Sequence, residues 1–134
     1  MAANDTKYDN TVLMVNNSKA AIGIDKDPNF DDMRLVFDGV VWPDPSSTPY
    51  MLKPGDRVHV GAGYPPDYLA YATDMGVSIN QDARFLEIAV GPSDITDSKV
   101  WTVVSDSGDD GSDLTYDVQD QTAVSMTMTW HDKS

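Results

Sequence analysis

Cysteine is absent from the sequence, and histidine is scarce. With no cysteine among 134 residues, neither a disulfide framework nor a thiolate metal site can form. Of the two histidines, His59 alternates with two valines in a strand pattern and should point outward, and His131 lies near the end of the chain. No nucleophile elbow, phosphate-binding loop or dinucleotide fingerprint is present. We therefore expect a protein that is not an enzyme and that has no catalytic residue, cofactor or metal ion.

Basic residues are also few. Lysine and arginine number 9 against 22 acidic residues, which gives a formal net charge of −13. A surface of this sign repels phosphate backbones and anionic lipid leaflets, so nucleic acid is excluded as a partner. A neutral or zwitterionic membrane, a sugar or a cationic partner remains open, and so does the reading that the charge only confers solubility.

Long apolar runs are missing. No segment approaches the roughly 20 apolar residues that a spanning helix needs, and residues 1–7 lack the apolar core of a secretory signal. We expect a soluble protein that is cytoplasmic on synthesis, is released or secreted without a signal peptide, and acts peripherally at a target-cell membrane.

Period-two alternation is what the sequence does contain. Residues 124–130 alternate apolar and polar, so Val124, Met126, Met128 and Trp130 should share one face of a strand. Leu114, Tyr116 and Val118 alternate in the same way before a short polar turn. This pattern predicts a β-hairpin over residues 113–130 whose apolar face needs a second layer.

Similar patterns predict nine or ten short strands and no helix. Residues 11–15 are apolar throughout, as in a strand buried on both faces, and residues 33–42 suggest one strand with Gly39 as a bulge. Residues 100–104 form another expected strand, whereas residues 61–74 are typical of a loop. We predict an all-β protein, a single β-sandwich domain over residues 11–134 after a flexible arm of residues 1–10.

Aromatic side chains in or beside proline-rich loops are the first candidate site. Trp42, Tyr64, Tyr68 and Tyr71 combine an apolar body with a polar tip, which suits a membrane interface or a sugar face. The alternative is that they only cover one end of the sandwich. Trp101 and Trp130 lie in strand patterns and are expected in the core.

A weaker candidate is the acidic run near residue 110. Carboxylates of this run could gather around Ca²⁺: Asp106, Asp109, Asp110 and Asp113. Their spacing does not follow the helix-flanked calcium loop, and a solvated turn is the favoured interpretation. A calcium-dependent carbohydrate-binding sandwich is therefore kept as the alternative function.

Several features occur together in a familiar order. Lys53 and Pro54 precede a strand at 57–60 and then Gly61-Ala62-Gly63, after which come strands at 75–79 and 100–103. Residues 12–17 add an opening strand and turn. In this order and spacing the chain resembles the aegerolysins, small acidic β-sandwich proteins of fungi and bacteria.

The resemblance implies a sandwich similar to that of sea-anemone pore-forming toxins, no enzymatic activity, and binding to membrane lipids, often sphingolipids. Many aegerolysins are the targeting half of a two-component pore-forming cytolysin, and some bacterial members are insecticidal with a larger partner. Residues 91–97 lack the aromatic loop of many fungal members, which favours the bacterial branch over sphingolipid specificity. We therefore expect a lipid- or glycolipid-recognising protein that works with a larger pore-forming partner, with self-assembly into a homo-oligomer left open.

Overall fold

The computed structural model describes residues 9–30, 32–43, 48–68, 71–80, 84–108 and 113–133. These residues form eleven β-strands and no helix, which confirms the all-β prediction. The strands in chain order are β1 (Thr11–Asn16), β2 (Ile22–Lys26), β3 (Arg34–Phe37), β4 (Val40–Val41), β5 (Tyr50–Leu52), β6 (Arg57–Gly63), β7 (Asp74–Ile79), β8 (Arg84–Ala89), β9 (Thr102–Asp106), β10 (Leu114–Gln119) and β11 (Ser125–Asp132).

The strands make two sheets. A six-stranded sheet has the order β10-β11-β1-β6-β3-β4, and a five-stranded sheet has the order β5-β2-β7-β8-β9. All recorded pairings are antiparallel except that of β1 with β11, which is parallel. The long connection from β1 through both sheets to β11 makes this parallel pairing topologically accessible.

Alternating side chains from both sheets form one core. The six-stranded sheet contributes Val12 and Met14 of β1 and Met126, Met128 and Trp130 of β11, all at most 1% exposed. The five-stranded sheet contributes a matching set: Ile22, Ile24, Met75, Val77, Ile79, Leu86 and Ile88. Each fully buried side chain of this size contributes roughly 1.5–3 kcal/mol through removal of apolar surface from water.

The predicted final hairpin is confirmed as β10 and β11. Tyr116 lies opposite Trp130, and Val118 lies opposite Met128. Val124 differs from the prediction: β11 begins one residue later, and Val124 is exposed in the turn. The strand at residues 11–15 also differs, because Leu13 and Val15 of β1 are half-exposed on the outer face.

The single strand predicted over residues 33–42 is wrong. Asp38 and Gly39 both have positive φ angles, 49° and 82°, and they turn the chain from β3 into β4. Two consecutive positive φ angles match the right-handed twist of a tight hairpin, and Asp-Gly is a preferred pair for it. The surrounding apolar residues concealed this turn.

The loop predicted from residue 61 is also wrong, because β6 continues to Gly63. Gly61 and Gly63 leave room on the outer face for the chain that follows. The ring of Tyr71 lies over Gly61, and the backbone of Tyr68 lies against Gly63. The predicted strand at 100–104 begins later, at Thr102, after a fully buried Trp101.

Connections gather at one end of the sandwich, where β6, β8 and β10 end and β7, β9 and β11 begin. Backbone hydrogen bonds join them: Trp101 N–H donates to the Thr122 carbonyl at 2.9 Å, and Val90 N–H to the Thr73 carbonyl at 3.0 Å. We call this the tyrosine end. Its described segments are residues 9–10, 27–30, 32–33, 64–68, 71–73, 90–101 and 120–124.

Candidate binding surface at the tyrosine end

Tyr64 directly follows β6 and projects at this end of the sandwich. Its side chain is exposed, with 38% of its surface accessible. Burial of part of the ring, followed by the charges of Asp74 and Asp32, raises the pKa of the Tyr64 phenol above its ordinary value. The hydroxyl therefore stays protonated and available as a donor at neutral pH.

Tyr68 is held by an arginine. Its backbone is in the left-handed region at φ 60°, and its N–H donates to the Tyr64 carbonyl at 3.1 Å. The Arg34 guanidinium lies 4.8 Å from the centroid of the Tyr68 ring, which is a cation–π contact. Tyr68 therefore covers Arg34, and its ring is half-buried.

Tyr71 packs on the outer face of the six-stranded sheet. Its ring lies over Gly61, and its carbonyl accepts a hydrogen bond from the Asn10 side-chain amide at 3.4 Å. Asn10 N–H in turn donates to the Val124 carbonyl at 2.6 Å. Tyr71 thereby links the 64–73 connection to the start of β1 and to the β10–β11 turn.

Trp42 lies apart from the three tyrosines. It is half-buried at the side edge of the sandwich, with its ring centroid 5.4 Å from that of Phe37 and 5.5 Å from that of Tyr50. Phe37 and Tyr50 stack on each other at 4.3 Å. The indole N–H donates to the Thr48 carbonyl at 3.3 Å. This cluster joins β3 of one sheet to β5 of the other, so Trp42 has a packing role, and its role in binding stays a prediction.

Two exposed apolar side chains at the tyrosine end were not predicted from the sequence. Ile95 is 37% exposed at the tip of the 90–101 connection, and Val124 is 44% exposed in the β10–β11 turn. The signal for Ile95 was an isolated apolar residue within a polar loop. Tyr64, Ile95 and Val124 are thus three exposed side chains with apolar groups, each on a separate connection.

Exposed carboxylates lie on the same segments as these apolar tips. Exposed aspartates of the same segments include Asp32, Asp67, Asp94, Asp97 and Asp120. The basic residue within these described segments is Lys99, and Lys26 and Arg34 lie at the adjoining ends of β2 and β3. Asp74 is half-buried, and burial raises the pKa of its carboxyl group above the ordinary value. This end therefore presents single apolar side chains together with exposed carboxylates.

A groove of about 370 Å³ opens beside this end, on the outer face of the six-stranded sheet. Its floor is Leu13 of β1, flanked by His59 of β6 and Thr127 of β11. Asp9 and Asp120 contribute carboxylates to its lining. None of the lining residues was predicted as a site.

The calcium site expected as an alternative falls partly outside the described residues, since Asp109 and Asp110 lie there. Asp106 and Asp113 are described. Both carboxylate oxygens of Asp106 accept hydrogen bonds from Arg84, at 2.8 and 2.6 Å. A guanidinium thus occupies the position that a cation would need. Within the described ranges, no group of three or more histidine and acidic side chains could hold a metal ion.

A scan against protein-family models and a search of curated proteins both found no match for this chain. The described part of the chain contains no helix that is long and apolar enough to cross a membrane.

Proposed function

We propose that this protein is a non-enzymatic module that docks through its tyrosine end on the headgroup layer of a membrane, where it recognises a lipid or glycolipid. The observation that carries the proposal is the presentation of Tyr64, Ile95 and Val124 on three separate connections at one end of a rigid sandwich. An exposed apolar patch is typical of an interaction surface, and these three side chains lie at the same end of the molecule, on connections that also carry exposed aspartates.

The energetics favour weak and reversible docking. Insertion of each apolar side chain contributes on the order of 1–3 kcal/mol, and three together offset the loss of freedom on binding only in part. The carboxylates of the tyrosine end are repelled by anionic lipids. The matching surface is therefore a neutral or zwitterionic leaflet.

A larger partner completes the proposal. A module that docks weakly by three side chains is suited to targeting rather than to forming a pore by itself. The resemblance to the aegerolysins supports a two-component pore-forming toxin, insecticidal in some bacterial members, in which this chain would be the small component that recruits the pore-forming protein.

Sedimentation with liposomes tests the docking surface. The panel contains phosphatidylcholine alone, with cholesterol, with sphingomyelin and cholesterol, with a neutral glycolipid, and with phosphatidylserine. The triple variant Tyr64→Ser, Ile95→Ser, Val124→Ser should lose most of the bound fraction on whichever neutral membrane the wild type binds. A matched control replaces three apolar residues exposed elsewhere, Val40, Met51 and Val104, at 61%, 49% and 37% exposure.

The control variant should bind like the wild type. Equal loss in both triple variants would show that general surface hydrophobicity, and not the tyrosine end, drives binding. Absence of binding to every membrane of the panel would contradict the proposal.

A further inference from the structure

We infer that the groove on the outer face of the six-stranded sheet is a binding site for one neutral sugar ring. The inference deepens the proposed function where the sugar belongs to a glycolipid headgroup, and it also applies to a free glycan. The groove lies next to the tyrosine end, because Val124 belongs both to the apolar tips and to the groove lining.

The register of three adjacent strands builds the floor. Leu13 of β1 lies between His59 of β6 and Thr127 of β11, so these side chains form one row across the sheet. All three point away from the core, since their neighbours along each strand are buried. Strand pairing therefore fixes the spacing of an imidazole, an aliphatic group and a hydroxyl group.

Connections form the rim of the groove. Asp9 and Asp120 are exposed, and neither has a side-chain partner among the described residues. The Thr127 hydroxyl likewise has no partner within the described part of the chain. By contrast, the Thr122 hydroxyl accepts from the backbone N–H groups of Val124 and Ser125, at 3.2 and 3.1 Å, and shapes the turn.

This mixture of groups matches the chemistry of a pyranose. A carboxylate can accept hydrogen bonds from adjacent sugar hydroxyls, and charge-assisted hydrogen bonds of this kind are the stronger ones. The aliphatic side chains of Leu13 and Val124 offer contact to the C–H face of the ring. Polar groups placed beside aliphatic side chains are typical of small-ligand sites.

Charge and size narrow the ligand class. Two carboxylates, with no lysine or arginine among the described lining residues, disfavour phosphate, sulfate and acidic sugars. No aromatic side chain is among the lining residues that the structure describes, so the aromatic faces that usually hold a quaternary ammonium group are missing, and contact with a sugar ring depends on the aliphatic Leu13 and Val124. A volume of about 370 Å³ lies at the small end for ligand sites, which suits one ring rather than an oligosaccharide.

Nuclear magnetic resonance titration of the ¹⁵N-labelled protein tests the inference. The probes are methyl glycosides of glucose, galactose, mannose and N-acetylglucosamine, with choline and phosphocholine as competing classes. We expect at least one glycoside to shift amide signals of β1, β11 and the β10–β11 turn. Asp120→Asn and Thr127→Val should each weaken that binding about 3- to 10-fold, as expected for loss of one hydrogen-bonding group.

Two matched controls keep the result specific. Thr129→Val removes a hydroxyl from the same face of β11, and Asp56→Asn removes an exposed carboxylate at the opposite end of the sandwich. Asparagine also tolerates the positive φ of residue 120, 55°, so Asp120→Asn should fold normally. Circular dichroism of each variant checks that it folds. The glycoside-induced shifts of the wild-type protein test the inference even if a variant does not fold.

The outcomes separate the groove from the docking surface. The inference is overturned if no glycoside shifts the groove signals at millimolar concentration, if choline shifts them in preference, or if the controls weaken binding equally. Vesicles with and without a neutral glycolipid give the second arm. If a glycoside binds the groove but no vesicle is bound, the inference is supported and the proposed function is contradicted. If vesicles are bound but no glycoside shifts the groove signals, the proposed function is supported and the inference is contradicted.

Discussion

At the scale of single residues, Arg84 joins three strands at the end of the sandwich opposite the tyrosine end. It donates two hydrogen bonds to the Asp106 carboxylate of β9 and a third to the Leu114 carbonyl of β10, at 2.8 Å. Its guanidinium also lies 5.2 Å from the Trp130 ring centroid. Because β8 and β9 belong to one sheet and β10 to the other, this residue couples the two layers.

Loss of the Asp106 charge should therefore destabilise the fold in a pH-dependent way. Hydrogen bonds from Arg84, opposed in part by burial, lower the pKa of the Asp106 carboxyl group. Its contribution is present above the unfolded pKa of 3.8 and is lost as the pH falls through the lower folded pKa. Asp106→Asn should cost about 1–3 kcal/mol at pH 7, measured by urea unfolding.

The cost of Asp106→Asn should shrink towards zero once the pH falls below the folded pKa. Asp56→Asn, at an exposed position, should unfold like the wild type at both pH values. A variant Asp106→Asn as stable as the wild type at pH 7 would show that the ion pair contributes nothing.

The charge of Asp74 should have the opposite effect on stability, because it destabilises the folded state at neutral pH. Burial raises the pKa of its carboxyl group, so the folded state disfavours the charged form. The associated stability is present below the unfolded pKa of 3.8 and is lost as the pH rises through the higher folded pKa. Asp74→Asn should therefore increase the free energy of unfolding at pH 7 by less than about 1 kcal/mol, which is seen as a higher melting temperature. The substitution should have little effect near pH 3.

The same substitution gives a second measurement. The charge of Asp74 helps to raise the pKa of Tyr64, so Asp74→Asn should lower that pKa in an ultraviolet titration of tyrosine. A lower melting temperature at pH 7 would contradict this account and indicate that the carboxylate makes a stabilising interaction.

At the scale of elements, the outer face of β6 carries glycines where Tyr68 and Tyr71 pack against it. An ideal Cβ on Gly61 would lie 2.6 Å from Tyr71 Cδ1 and 3.2 Å from Thr11 Cγ2. Such distances are shorter than van der Waals contact, so an alanine would displace the ring. The absence of a side chain at Gly61 therefore allows the Tyr71 ring to lie against the sheet.

Gly61→Ala should destabilise the protein by about 1–3 kcal/mol through overpacking. In a Tyr71→Ala background the same substitution should cost clearly less, because the ring that it displaces is gone. Thermal unfolding of the four proteins of this double-mutant cycle measures the coupling. Equal costs in both backgrounds would show that Tyr71 does not press on Gly61.

At the scale of the whole molecule, local patterns predicted the core but not the surfaces. Alternation placed Met126, Met128 and Trp130 in the core because burial on one face of a strand leaves a period of two. The Asp38-Gly39 turn was missed because apolar residues flank it on both sides. The predicted strand at residues 57–60 ends before β6 does, because the glycines at 61 and 63 have no side chains that could continue the alternation.

The candidate surfaces depend on contacts between distant segments, which no local pattern contains. Tyr64, Ile95 and Val124 lie at the same end only because they follow three strands, from two sheets, that end there. The groove combines side chains of β1, β6 and β11 with two connections. Conversely, the sequence groups Trp42 with the tyrosines because all four lie in or beside proline-rich loops, whereas packing places Trp42 against Phe37 and Tyr50.

The net charge of the molecule, −13, should govern which membranes it can approach. Where the wild type binds phosphatidylcholine vesicles, partial replacement of that lipid by phosphatidylserine should reduce the bound fraction at low salt, because the aspartates of the tyrosine end face a negative surface. Raising the salt to roughly 0.5 M shortens the Debye length to a few ångströms and should restore binding. Co-sedimentation at both salt concentrations measures the effect, with uncharged vesicles as the control. Stronger binding to phosphatidylserine than to phosphatidylcholine would mean that a basic surface, and not this acidic end, meets the membrane.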